Sequence, residues 1–275
     1  RLGRGMTYKM AMLWPDYKVG GGKGVLAVLS GKPEQYKSPE LFQAYGRIIQ
    51  SLGGKFITGE DMNVSVRDVE EIRTQTRYIV GESREHGGSD DPGEFTAQGC
   101  IAAMRAALQF EFGSDSFTGR RLVLQGIGDV GWPLARMAHE RGAQLIVCDP
   151  RSERAERARR ELGAEVVTDL DAIYSAFGDV FVPCATGGIL NDETIPLLQC
   201  PVVVGSANNQ LADPARHGQM LDKRGNVYGP DFAVNAGGAT AVADELLPGG
   251  FNLERTRANV EKIFNRTRWI LEESH

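Results

Sequence analysis

Residues 121–131 constrain the fold more than any other stretch of the chain. An apolar run, Leu122, Val123 and Leu124 with Gln125, leads into Gly126, Gly128 and Gly131, and a segment of helical character follows at 132–141. A buried strand feeding a glycine turn and then a helix opens a βαβ unit. The alternation continues: 144–148, 165–167, 180–183 and 202–205 read as strands, and 153–162 reads as a helix. Strands that alternate with helices predict a parallel sheet with helices packed on its faces. The spacing Gly-x-Gly-x-x-Gly in that context is the phosphate turn of a dinucleotide site. Gly126 makes the tight turn, Gly128 lets a pyrophosphate reach the backbone, and Gly131 lets the helix pack on the strand. Asp129 and Val130 fill the turn, and the helix start presents N–H groups and a positive dipole to phosphate.

The strand at 144–148 ends at Asp149, about twenty residues past the central glycine, where an acid accepts hydrogen bonds from ribose hydroxyls and repels a 2′-phosphate. NAD is therefore expected over NADP. Arg151 leaves the other reading open, because an arginine beside that position could hold the phosphate. A glycine-rich turn with a surface aspartate is the plain structural alternative.

Ahead of this region Gly20, Gly21 and Gly22 precede Lys23, close behind Lys9, and Gly59, Glu60 and Asp61 follow later. Three glycines remove side chains and let a substrate approach the backbone. Two lysines and an acid can supply carboxylate binding, carbonyl polarisation and proton transfer. Solvated surface charges in a flexible loop are the alternative. Residues 25–29 form a short apolar run, 38–52 have helical periodicity with Pro39 in the first turn, and 55–58 read as a strand. Residues 63–80 read as a helix and then a short strand. The polar, Gly/Pro-rich stretch 82–94 is a break with a hinge across it, followed by a helix at about 96–112; a last helix covers about 252–273. The expected domains are a substrate-binding 1–81 and a nucleotide-binding 82–275.

Composition adds exclusions. Of 275 residues 41% are hydrophobic and 24% charged, an ordinary globular mixture, and the net charge of -5 gives no electrostatic footprint for nucleic acid. No apolar run approaches a bilayer span, so no membrane partner is expected. Cys100, Cys148, Cys184 and Cys200 are far apart, with no metal-ligand spacing, and read as reduced thiols of a cytoplasmic protein.

The chain resembles the leucine/valine/phenylalanine dehydrogenase branch of the amino-acid dehydrogenases, relatives of glutamate dehydrogenase. The likeness is carried, in order, by Gly5 to Lys9, Gly20 to Lys23, Ile57 to Asp61, Phe95 to Ala97 and the glycine turn. Pro183 to Ala185, Asn191 to Ile195, Gly205 to Leu211 and Asn235 to Gly238 complete it. The resemblance implies an α/β catalytic, dimerisation-type domain, N-terminally incomplete, followed by a Rossmann-like doubly wound NAD-binding domain. It implies NAD-dependent oxidative deamination of an apolar L-amino acid to its 2-oxo acid and ammonia, in a homo-oligomer. Glutamate dehydrogenase, or an inactive nucleotide-binding or assembly homologue, is the alternative.

Matched residue by residue, Lys9 is similar to the lysine that pairs with the substrate α-carboxylate. Lys23 is similar to the catalytic lysine that polarises the carbonyl, and Asp61 to the acid/base. Gly21, Gly22, Gly59, Asn209, Ala239 and Val242 match substrate-side positions; Thr96, Ala185, Asn208 and Asn235 match positions near the cofactor. Trp14, Pro15 and Asp16 lie in a stretch that looks slightly longer than in leucine dehydrogenases, and Met62 and Asn63 follow the acid as in aromatic-specific relatives. Gly59 and Ala239 are smaller than their leucine-enzyme counterparts, which points to a large aliphatic or aromatic side chain. Relatives carry further residues at both ends, so the chain is expected to be a piece of a longer protein.

Overall fold

A computed structural model describes residues 2–13, 16–61 and 63–274. The unusual Trp14 and Pro15, and Met62 after the expected acid, lie outside the described residues. The chain packs as two compact units: Arg1–Pro92 with Ala239–Thr256, and Gly93–Gly238 with Arg257–His275.

In the first unit, helix α1 (Leu2–Leu13) buries Lys9, Met10 and Leu13. The apolar run at 25–29 has no regular structure and is exposed, Leu29 completely. Helix α2 (Pro39–Ser51) starts where Ser38 accepts the Leu41 N–H at 3.2 Å and Pro39 presets the first turn. Strand β1 (Thr58–Gly59), helix α3 (Val66–Arg73) and strand β2 (Ile79–Val80) make a small βαβ unit, with Thr58 opposite Ile79 and Gly59 opposite Val80. The strand expected at 55–58 pairs only at its end because β2 is two residues long. A reciprocal cap between Ser65 and Asp68 opens α3. Phe42, Val69, Ile72 and Ile79 form the core beneath these helices.

The segment Ala239–Thr256 joins this unit through buried polar contacts. Asp244, fully buried, accepts hydrogen bonds from the Tyr17 hydroxyl at 3.2 Å, the Asn252 N–H at 2.8 Å and the Arg255 guanidinium at 2.7 and 2.8 Å. Glu245 accepts from the Gly81 N–H at 3.0 Å, the Ser89 N–H at 2.9 Å and the Ser89 hydroxyl at 2.5 Å. Burial pushes the Glu245 carboxyl up, with Glu82 adding to the rise, while the Ser89 and Gly81 donors oppose it.

The second unit opens with helix α4 (Gly93–Phe112), a turn longer at its start than the sequence predicts. Strand β3 (Arg121–Gln125), helix α5 (Gly131–Glu140), strand β4 (Gln144–Cys148), helix α6 (Ser152–Leu162) and strand β5 (Glu165–Val166) follow. Then come β6 (Val180–Pro183), β7 (Val202–Val203), α7 (Pro214–Lys223), β8 (Val227–Tyr228) and the short α8 (Asp231–Val234). Helices α9 (Gly237–Asp244) and α10 (Leu253–Ser274) finish the chain. The six strands are parallel, in the order β5-β4-β3-β6-β7-β8. This is a doubly wound sheet whose order reverses between β3 and β6, the place where such sheets bind ligands. Val123, Ile146, Phe181, Val203, Leu190 and Ile195 fill part of its core. Among the described residues no helix is long and apolar enough to cross a membrane.

Candidate active site

The glycine-lysine stretch of the first unit lies against α1. A Cβ at Gly21 would collide with the backbone of Met6 and Thr7, while the Thr7 hydroxyl donates to the Gly21 carbonyl at 3.2 Å. The missing side chain at Gly21 is therefore needed for chain-on-helix packing. Gly22 lies against the Phe56 ring, and a Cβ at Gly20 would meet open space. Sequence reasoning assigned these glycines to substrate approach alone. The helix contact adds a second reason for Gly21, two places before the residue that follows the glycines.

That residue is Lys23, which pairs with Asp61. The lysine side chain is 22% exposed and the aspartate 44%. Burial pulls the Lys23 ammonium below its ordinary value, and the neighbouring Glu60 charge opposes this only in part. Asp61 sits in a tight turn, its N–H on the Val64 carbonyl at 3.3 Å and its carbonyl receiving the Val64 N–H at 2.8 Å; Asn63 within it is left-handed at φ 59°. Asp61 is thereby held just past β1. Lys9, on α1, is 9% exposed. A lysine buried to that degree keeps its charge only where its ammonium meets water or polar partners.

Ala239 and Val242, half-buried, are three apart on α9 and so share a face. A Cβ at Gly59 would meet the Val80 carbonyl oxygen at 2.6 Å. The room left by this glycine is thus occupied by the neighbouring strand.

In the second unit the glycine turn joins β3 to α5. Gly126 has φ 97°, in the left-handed region that glycine tolerates, and its N–H reaches the Cys148 carbonyl at 2.8 Å. A Cβ there would meet Cys184 and Ala185 at 3.0–3.1 Å, so Ala185 borders the turn. A Cβ at Gly131 would run into the Gly126 carbonyl, which is why the helix can begin so close to the strand end. The Asp149 carboxylate accepts the Ile127 N–H at 2.7 Å through one oxygen and the Arg151 N–H at 2.9 Å through the other. Asp149 therefore braces the turn, and a carboxylate with about four acceptor positions keeps capacity for ribose hydroxyls.

The loops after β6 and β7 are stitched together. Gly188 N–H donates to the Asn209 carbonyl at 2.8 Å, and Ala207 N–H to the Pro183 carbonyl at 2.9 Å. Asn209, left-handed at φ 53°, donates its N–H to Asp231 at 2.5 Å. Asn235 is buried; its amide donates to the Ser206 carbonyl and to Asn208 Oδ1, each at 2.9 Å, and its own Oδ1 has no hydrogen-bond partner among the described residues. An orphaned buried acceptor beside two further asparagines suits a carboxamide-bearing ligand. Thr96 is half-buried on α4, next to Gly237. Gly126, Asp149, Ala185 and Asn208 thus all follow the carboxyl ends of parallel strands. These features fit a dinucleotide.

Sequence reasoning passed over Arg154, in the first turn of α6, whose guanidinium lies beside Gly128. Its three-residue spacing from Arg151 was the available signal.

The profile described as Glutamate/Leucine/Phenylalanine/Valine dehydrogenase matches residues 87–152 and 151–270, and that described as the Glu/Leu/Phe/Val dehydrogenase dimerisation domain matches 1–78. The chain belongs to this family. As a Glu/Leu/Phe/Val dehydrogenase it is an oxidoreductase of the amino-acid dehydrogenase class, which implies a nicotinamide cofactor. It is 47% identical to leucine dehydrogenase of Thermoactinomyces intermedius over 272 residues, 99% of this chain and 72% of that enzyme. It is 45% identical to phenylalanine dehydrogenase of Lysinibacillus sphaericus over 268 residues, 96% of this chain and 68% of that enzyme. Among solved structures, L-tryptophan dehydrogenase from Nostoc punctiforme superposes with a TM-score of 0.78 at 40% identity, covering 99% of this chain and 75% of that one.

Proposed function

We propose that this amino-acid dehydrogenase catalyses the reversible NAD-dependent oxidative deamination of an apolar L-amino acid to its 2-oxo acid and ammonia. The Lys23–Asp61 pair carries the reading. Lys9 binds the substrate α-carboxylate. Asp61 takes the proton from the substrate amine and releases it to solvent, then takes a proton from the attacking water and passes it to the amino group, which leaves as ammonia. Lys23, its ammonium destabilised by burial, holds the developing oxyanion of the carbinolamine. The nicotinamide, when bound, accepts the hydride from the substrate Cα. Thr96, Asn208 and Asn235 orient the nicotinamide end, Asn209 contacts the substrate side, and residues 126–131 with Ala185 hold the pyrophosphate region.

The Asp149 charge at the ribose favours NAD over NADP. Ala239 and Val242 supply an apolar wall that contains no cation for a side-chain carboxylate, which favours leucine, phenylalanine or tryptophan over glutamate. Homo-oligomerisation is supported by the dimerisation-domain match, and a reducing cytoplasmic setting by four free thiols.

Steady-state NADH formation with leucine, valine, phenylalanine, tryptophan and glutamate tests the reading. Turnover is expected on the large apolar members. A preference for glutamate, or NADH binding with no turnover on any of them, overturns it.

A further inference from the structure

A methyl group built on Gly128 would meet, among the described residues and outside its immediate neighbours, only one atom within 4 Å: Nη1 of Arg154, at 3.0 Å. Among the described residues, the space beside the middle glycine holds this guanidinium alone. Arg154 comes from α6, the helix that follows Asp149, and its Nη2 lies 3.7 Å from the exposed Asp129 carboxylate within the same turn. The side chain is only 27% exposed, so it is laid across the turn. Its neighbour one turn further on, Arg157, stacks on the Trp132 ring of α5 at 3.7 Å and pairs with Glu161, which gives it a structural occupation. Among the described residues the Arg154 guanidinium has only the long pairing with the exposed Asp129, and such pairs contribute little to stability.

The middle glycine is where a dinucleotide's pyrophosphate comes closest to the main chain. A guanidinium is a planar fork of donors suited to phosphate oxygens, and it stays protonated at any working pH. We propose that Arg154 is a pyrophosphate clamp: on dinucleotide binding it turns from Asp129 to the phosphate oxygens above Gly128, closing the turn from the α6 side. The inference deepens the dinucleotide reading of this site and rests on it. Because the contact is to the pyrophosphate, Arg154 serves NAD and NADP equally and takes no part in choosing between them. That choice stays with Asp149.

The test is direct binding to the full chain, read by fluorescence titration of NADH and NADPH and by calorimetry with ADP-ribose. Arg154→Ala is expected to weaken all three by about tenfold or more, the loss of one charge-assisted hydrogen bond. The ratio of NADH to NADPH affinity stays as in the parent, the salt dependence of binding flattens, and Arg154→Lys recovers part of the loss. A loss confined to NADPH would reassign Arg154 to the 2′-phosphate and overturn the clamp. Unchanged affinity for all three in a variant with parental circular dichroism would overturn it as well. A parent chain that binds none of these ligands would instead overturn the dinucleotide reading itself.

Discussion

Replacing Lys23 by alanine removes the cation that pairs with Asp61. The expected loss in kcat is about a hundredfold to a thousandfold, the range for deleting one preorganised charge-stabilising group, and steady-state NADH formation measures it. A variant that keeps parental kcat would detach Lys23 from the chemistry. The same residue sets a pH dependence. Burial lowers its pKa from 10.5, with Glu60 opposing. As an ammonium facing the oxo-acid carbonyl, it loses its proton as pH rises through that lowered value. Reductive amination therefore declines at a pH below 10.5, and an alkaline limb at or above 10.5 would contradict this. The sign for stability is the reverse. The burial penalty is full below the lowered pKa and is relieved as pH rises through it toward 10.5. The type and spacing of Lys9, Lys23 and Asp61 were legible in the sequence. The packing of Gly21 on α1 was not, because it depends on two backbones meeting and carries no residue-type signature.

At the scale of elements, α3 is held at its start by a reciprocal cap between Ser65 and Asp68, supported by Lys37 at 2.8 Å from Asp68. Ser65→Ala is expected to lower unfolding free energy by about 1 kcal/mol, seen as a shift of the urea midpoint at unchanged slope; no shift would mean that the helix is held by packing alone. The sequence made the sheet legible because buried parallel strands are continuous apolar runs and glycines punctuate their ends. Strands β3, β4 and β6 coincide with the stretches at 121–125, 144–148 and 180–183. Helix α7 and strand β8 went unread although Asp213 and Pro214 mark a helix start; β8 is only two residues long, too short to show a period. The run at 25–29 has strand composition, yet no backbone among the described residues pairs with it, and it stays irregular.

For the whole molecule, the return of Ala239–Thr256 to the first unit matters most. Nothing in linear order announces it, since Tyr17 and Asp244 are separated by most of the chain and meet only in the fold. Burial alone would push the Asp244 carboxyl up, but Arg255, the Asn252 N–H and the Tyr17 hydroxyl outweigh it and hold the pKa below 3.8. A carboxylate depressed in this way contributes stability above 3.8, and the contribution drains away as pH falls through the folded-state value. Arg255→Ala should therefore destabilise the chain at neutral pH, because it removes the charge partner that holds the buried Asp244 carboxylate. It should also flatten the acid limb of stability against pH, measured by thermal melts across the acidic range. An acid limb as steep as the parent's would place the acid sensitivity elsewhere.

The glycines around Lys23, at 21, 22 and 24, differ in how they can drift over evolutionary time. Gly21 faces the main chain of a helix, which no substitution elsewhere can trim, so that position is locked whatever accompanies it. Gly22 faces the Phe56 ring and Gly24 the Tyr45 hydroxyl, both side chains that a second substitution can shorten. In descendants of this chain, positions 22 and 56, and 24 and 45, are therefore free to change as couples, while 21 stays fixed as a solitary constraint close to Lys23.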